Sequence, residues 1–586
     1  MEYTSKEVYE YVSKKANDPI AERKKCRKSG QEFPIYQSDL NFYDKISPKF
    51  WWEKFSIPVP DLCYQERERR RHSRKNLRKL YNRKCKSSGK HILSIYSPDK
   101  PYNVYENNVW RNILWDDWNS VKNLENDGTL WAQFMDLLKQ VPLMNLNSVN
   151  VENSDYNNIL LNSKNCYLCF STWDSEDCLY QTLSARDKNC IDWYRLLNSE
   201  NCYENVDCNE CFNCFYTDNC QNSKYLYYCD NCSWCDYCYF CSNLKNQKYC
   251  ILNTQYSKDD YEKLVETFSQ NKTIQDYLKK YEQLLSQNLF NNKNKGSQNC
   301  FGGNNINSNN CIFCFETTQC SDCKYCTNIW LDAVKCFDCG GWDIFKAEFC
   351  YECVWVSNSY NVLFSCNCIN CSNMFYCLEC YNCKNCFACI WLRDKEYCIY
   401  NKQYNSKEEY ESEVKKIIKN MQKSWERWHP IEPKYSPFGY NETVAMDFYP
   451  LTKEQALKMW YRRSDYESPM PNVEKTVLWK DLPKVWCKVI QEKKPDFLKK
   501  ILNYAIVCEV SKRPFRLTKQ EIEFYVKHNL SLPTRHPDVR YVDRVKRKWT
   551  RELFLVKCSK CWNIFPSIYK TNINNLCCDE CFSKYE

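Results

Sequence analysis

Four cysteines near the C-terminal end have the spacing of a metal site. Cys558-x-x-Cys561 and Cys578-x-x-Cys581 are two thiol pairs separated by sixteen residues. Two such turns deliver four thiolates, enough to close a tetrahedral zinc site, and a small terminal unit needs a staple of this kind. The expected cofactor is about one structural zinc. Cys577 competes for the place of Cys578.

Three other stretches read as the same turn with ligands lost. Ser29, Ser88 and Ser511 stand three residues after Cys26, Cys85 and Cys508, where Cys561 follows Cys558. Cys63 leads to Glu66, and His536 to Val539, instead of to a second cysteine. A four-cysteine site cannot close there, so these units are expected to hold by packing. Cys508 with His536 is at most half a site.

Charge is the second candidate for chemistry. Arg67, Arg69, Arg70, Arg71, Arg74, Lys75 and Arg78 crowd one stretch, and Arg540, Arg544, Arg547 and Arg551 crowd another. Arginine pairs with phosphate and stacks on bases, and zinc ribbons flanked by arginine serve as nucleic-acid modules. The net charge of +10 agrees in sign. The expected partner is nucleic acid, with structured RNA or the ribosome ahead of DNA because no helix shows a groove-reading arrangement. A scaffold for a protein partner is the alternative, and storage of soft metal (zinc or copper) by the other cysteines is the second.

No enzyme is expected. The five histidines have no evident partner, and no GxSxG, phosphate-cradling glycine loop or HExxH occurs. Asp174, Glu176, Asp207 and Asp218 could line a carbohydrate-active face, but polar turn positions explain them more simply.

Most of the 44 cysteines lie elsewhere, in two blocks. Cys229, Cys232, Cys235, Cys238 and Cys241 fall on every third residue, and Cys377, Cys380, Cys383, Cys386 and Cys389 repeat the run 148 residues later. The shared offset implies internal duplication. A longer phase of twelve runs through Cys166, Cys178, Cys190, Cys202, Cys214, Cys238 and Cys250, with Leu226 taking one place. Cys314, Cys326, Cys350, Cys386 and Cys398 keep it less perfectly. A fixed short period means one unit stacked on itself, and twelve is too short for helical repeats. Short strands with Asn/Asp turns suit the composition. The expected fold class is mainly β with α: two duplicated β-solenoid-like blocks with cysteines as an inward ladder, each closed by a helix, flanked by zinc-ribbon-like modules.

The block ends agree, QKYCILNTQYSKDDYEKLV against KEYCIYNKQYNSKEEYESEV, with Ser257 and Ser406 as N-caps of the closing helices. The expected domains are an N-terminal module (1–96), a Trp-rich cap over the first block (97–160), two solenoids with helices (161–288 and 289–428), a connector (429–507) and a C-terminal module (508–586). The two modules share a plan: Phe42-Tyr43 matches Phe524-Tyr525, and SIY recurs before Ser97 and Lys570. Mean hydropathy is -0.72 and no apolar run approaches a membrane span, so cytoplasm is expected, with thiols reduced.

The CxxSG turn, the PVP and arginine-rich stretch, the NTQY and NKQY block ends and SPFGYNETVA with YPLTKEQAL resemble a family of cysteine-rich, zinc-ribbon-containing proteins from uncultivated small-genome bacteria. The resemblance covers nearly the whole chain. It implies zinc ribbons at both ends and carries no activity to transfer. It also draws attention to tryptophan. Trp562 stands opposite Gly89, and Trp51, Trp52, Trp391 and Trp460 also fall where glycine is expected, as they would if some UGA codons were read as glycine.

Overall fold

The computed structural model of the chain describes residues 3–112, 129–268, 271–329, 332–341, 348–424, 426, 428–468, 475–483, 487–493, 495–548, 551–570 and 575–584. Trp115 and Trp118 lie outside these. Contacts gather the chain into two compact units, Met1–Asn145 with Leu289–Tyr466 and Trp549–Tyr585, and Leu146–Asn288 with Glu467–Lys548.

Each unit is built on a β-solenoid. In the second unit the coils run from the strand Ser148–Glu152 to Lys248–Ile251, in parallel and mostly twelve residues apart, as in Leu160↔Thr172 and Cys238↔Cys250. The first unit's coils end at Cys386↔Cys398. Some of its coils are longer: Lys324 pairs with Phe337, and Phe337 with Tyr351. Those insertions explain why the phase of twelve is imperfect there.

Every third residue from Asn150 to Leu252 has a positive φ, between 45° and 70°. A coil is therefore four triplets, each turning at a left-handed residue. Asn and Asp occupy many of these positions because their short polar side chains tolerate that region. The residue after each turn faces inward. That is why cysteines at every third position, such as Cys229, Cys232, Cys235, Cys238 and Cys241, are all at most 1% exposed. The cysteines line the interior in four columns, one per triplet. In the later block the longer coils shift the register, so Cys314 and Cys326 stack with Cys339 and Cys353, whereas Cys350, Cys386 and Cys398 stack with Cys323 and Cys336, and the single ladder expected there is divided between two columns.

Cysteine suits the columns because its thiol serves the backbone as well as filling space. Cys166 Sγ donates to the carbonyls of Lys164 (3.3 Å) and Ser175 (3.7 Å). Cys190 Sγ accepts the N–H of Cys202, one coil on, at 3.4 Å. Serine plays the same part: Ser163 Oγ accepts from Ser175 N and Ser175 Oγ from Asp187 N. Outside, asparagines at the turns form directional amide ladders. Asn358 Nδ2 donates to Asn370 Oδ1, Asn370 to Asn382, and Asn382 to Asp394, whose carboxylate only accepts and so ends the series.

The block ends close alike. Asn253 exchanges two hydrogen bonds with the backbone of Ser242, and Asn401 two with that of Ile390, all at 2.8–2.9 Å. An antiparallel strand follows each, Thr254–Gln255 and Lys402–Gln403. Then come the helices Lys258–Thr267 and Lys407–Lys423, capped by Ser257 Oγ and Ser406 Oγ as expected. The Trp-rich segment differs from expectation. Trp110 meets Trp391 at 4.7 Å and Trp131 meets Tyr376 at 5.2 Å, so it packs on the later block, whose outward aromatic residues match its apolar helix Leu130–Gln140. No described helix is long and apolar enough to cross a membrane.

Asp187 occupies a place in a column held by Ser163, Ser175 and Ser199 and, further on, by Cys211, Ser223 and Cys235. It is 2% exposed; its Oδ1 accepts Ser199 N and its Oδ2 has no partner. Burial pushes its carboxyl well above the ordinary range. Burial without a counter-charge therefore favours the neutral form in the fold. Stability is greatest below the unfolded pKa of about 3.9 and falls as pH rises toward the folded pKa. Asp187→Asn keeps the Ser199 acceptor without the titration. Thermal denaturation should show variant and wild type alike near pH 4 and the variant more stable at pH 7; equal stability at both pH values would refute the buried neutral acid.

Candidate metal centre

The metal site begins with a turn that the chain makes four times. At Cys26, Cys85, Cys508 and Cys558 the cysteine N–H donates to the carbonyl five residues on: Gln31, Lys90, Arg513 and Asn563. The residue four places on donates back to the cysteine carbonyl: Gly30, Gly89, Lys512 and Trp562. Those four residues are left-handed, with φ of 73°, 68°, 58° and 66°. The residue after each cysteine is tied to a second segment, Asp61, Val104, Thr534 or Leu576, just ahead of a helix. The second half of each site thus arrives at a helix start: Cys63, Glu106, His536 and Cys578.

Only the fourth turn keeps four thiols. The Sγ atoms of Cys558, Cys561, Cys578 and Cys581 all lie within 4.8 Å of one another, with Cys561 to Cys578 at 3.8 Å. A tetrahedron with Zn–S bonds of about 2.3 Å has S–S edges of about 3.8 Å, so the four sulfurs lie close to the dimensions of a four-thiolate metal site. Burial opposes ionisation of Cys558, but N–H groups of Cys561, Cys578 and Lys560 hold its thiol down at about 6. Burial pushes Cys578 up. A metal binds the thiolate forms, so binding releases whatever protons the four thiols carry. Cys577 is buried among Val556, Phe565 and Leu576, its N–H bound to the Phe290 carbonyl, and it is not one of the four.

The other turns are incomplete. At Cys26 the equivalent positions hold Ser29, Cys63 and Glu66. Ser29 Oγ lies 3.9 Å from Cys63 Sγ, while Glu66 turns to Arg69 (2.7 Å) and to Tyr3. At Cys508 they hold Ser511, His536 and Val539, and His536 Nδ1 accepts Asp538 N as a helix cap. Among the described residues no other three Cys, His, Asp or Glu donors come together, so the ladder cysteines form no cluster of metal-site dimensions.

The arginine stretches do not form a surface. Arg67, Arg69, Arg70, Arg71, Arg74 and Lys75 are all buried, in or just after the helix Tyr64–His72. Arg67 Nε meets Asp338 at 2.8 Å, Arg71 the same carboxylate at 2.9 Å, and Arg70 Glu352 at 2.6 Å. Arg67 also lies over the Tyr325 ring, whose hydroxyl donates to Asp39. The other unit repeats this set. On the helix Pro537–Lys546, Arg540 pairs with Asp192 and lies over Tyr180, whose hydroxyl donates to Glu521. Arg544 meets Asp192 (3.0 Å) and Glu204 (3.1 Å). Arg551 joins Glu68 and Glu316. Despite burial, Arg551 and His72 hold the Glu68 carboxyl down at about 2. Arg78 is half-buried; Arg547 remains at the surface, paired with Glu204 and Asp218.

The expected phosphate-binding face is therefore corrected at these buried residues: Arg67, Arg70, Arg71, Arg540 and Arg544 pair with carboxylates at left-handed turns of the solenoids, and Arg69 with Glu66 of its own helix. The solenoid partners lie hundreds of residues away, so no local pattern announces them. One signal was available. Both blocks read Tyr-acid-acid-aromatic along one outward column, Tyr180, Asp192, Glu204, Tyr216 and Tyr325, Asp338, Glu352, Phe364. A repeated acid pair inside an aromatic column calls for a buried cation.

Comparison of the chain with protein-family models, curated proteins and solved structures returns no match.

Two outcomes follow. Cys561→Ser recreates the incomplete turn and should lower zinc affinity at least tenfold in a competition titration, whereas Cys577→Ser should leave it unchanged. Arg71→Ala or Arg544→Ala strands buried carboxylates and should cost about 3–5 kcal/mol in denaturant unfolding; a loss below about 1 kcal/mol, the surface-pair value, would mean the pair is solvated.

Proposed function

We propose that this chain is a non-enzymatic zinc-binding scaffold. Its two β-solenoids present rigid faces, and its C-terminal zinc ribbon is locked by Cys558, Cys561, Cys578 and Cys581. The observation that carries this reading is the set of four sulfurs already at zinc-site separation. The other three turns are then ribbons whose ligands were replaced as packing took over their stability. Elemental analysis of protein purified without chelator should give one zinc per chain. Many soft metal ions per chain would instead favour storage by the ladder.

Nucleic acid, structured RNA or the ribosome, is retained as a second reading through different residues. With the arginines neutralised inside, exposed lysines remain on the turns: Lys25 on the first, Lys84, Lys86 and Lys90 on the second, Lys557 and Lys560 on the fourth. Binding through them should be salt-dependent. Replacing Lys84, Lys86 and Lys90 by glutamate should weaken retention of structured RNA in a filter assay while leaving thermal stability unchanged. Unchanged retention removes this reading and leaves the scaffold.

A further inference from the structure

The tryptophans fall into two populations. Trp110, Trp131, Trp193 and Trp428 are at most 2% exposed, and their rings pack in the core. Trp52, Trp460 and Trp562 are 99%, 77% and 66% exposed, and Trp51 is 49% exposed. All four have positive φ, from 49° to 66°; so do the exposed Trp234 on a solenoid turn and the buried Trp428, at 58° and 53°, so it is exposure together with the turn type that sets the four apart.

Each sits where the local turn specifies glycine. Trp51 and Trp52 are the two linking residues of a hairpin between Lys49–Phe50 and Glu53–Lys54, in which Phe50 pairs with Glu53. A two-residue hairpin with both φ positive takes Asn-Gly or Gly-Gly, because a bulky Cβ clashes there. Trp460 follows the helix Lys453–Lys458 and its cap Met459. Its N–H donates to the Leu457 carbonyl, and Tyr461 N–H donates to that of Ala456. That is a Schellman ending, whose left-handed residue is usually glycine. Trp562 holds the place that Gly30 and Gly89 hold in the first two turns and the unbranched, exposed Lys512 in the third, a left-handed position that favours glycine. Little repays the strain: the Trp51 indole N–H reaches the Glu408 carbonyl at 3.3 Å, and Lys557 lies 4.7 Å over Trp562.

We propose that residues 51, 52, 460 and 562 are glycine in the protein as its native cell makes it, encoded by UGA read as glycine. The composition points the same way. Glycine supplies 9 residues of 586 and tryptophan 20, while ordinary glycine usage is about 7%. The proposal does not extend to Trp234, Trp355 or Trp391. They sit on solenoid turns, where residues of every kind adopt positive φ, and Trp391 is buried against Trp110.

The gene's codons give the first test. Positions 51, 52, 460 and 562 should be UGA, and positions 110, 131, 193 and 428 UGG. A UGG at any of the first four overturns the assignment there. Peptide mass spectrometry of the chain from its native cell should give glycine at 51, 52, 460 and 562 and tryptophan at the core positions; a tryptophan mass at 562 overturns the proposal. In recombinant full-length protein, Trp562→Gly and Trp460→Gly should each raise Tm more than the matching alanine variant, since alanine keeps the Cβ. Equal or lower Tm for the glycine variants overturns the conformational argument, whatever the codon.

Discussion

A left-handed residue at every third position is the constraint on which the rest depends. It turns the chain four times per coil and sends the following side chain inward. The interior is then too narrow for most apolar side chains and is crossed by backbone groups that the turns leave short of partners. A thiol answers both demands, being small, apolar enough to bury, and able to donate to a carbonyl or accept from an amide one coil away. Serine and asparagine can stand in, as Ser175 and Asn253 do.

The same turns create the second organising interaction. An acid at a left-handed position is held out from the solenoid on a fixed backbone, and two on successive coils make a rigid pair. Asp192 with Glu204, and Asp338 with Glu352, are such pairs. Each receives a helix bearing arginines one turn apart, Arg540 and Arg544 or Arg67 and Arg71. Burying these charges is expensive, and only near-complete mutual pairing makes it tolerable. The gain is registry: a helix displaced by one residue leaves two guanidinium groups and two carboxylates unpaired.

What the sequence disclosed follows the range of the interactions. Local and periodic features were legible: the phase of twelve, the inward cysteines, the caps Ser257 and Ser406, and the four-thiol spacing at Cys558. Features made between distant segments were not. Arg71 and Asp338 are 267 residues apart, and a run of arginine looks the same whether it faces phosphate or carboxylate. The Trp-rich segment failed for the same reason, since nearness in sequence to the first block says nothing about which aromatic column its apolar face matches. The other three turns fall between, because Ser29, Ser88 and Ser511 in the place of a second cysteine were visible while the shared hydrogen-bond frame needed coordinates.

The amides of Asn253 and Asn401 bear on how these proteins stay apart. Parallel coils end in a row of unpaired backbone groups that can recruit a strand from another molecule and grow into a fibre. At Ser242 and Ile390 one asparagine side chain takes both the donor and the acceptor of the terminal rung. A short strand running the opposite way then occupies the adjoining edge, and a capped helix follows. An incoming coil at that end would meet an occupied amide pair and a reversed strand. The asparagines of the NTQY and NKQY motifs thus leave that rung no free donor or acceptor on which a further coil could grow.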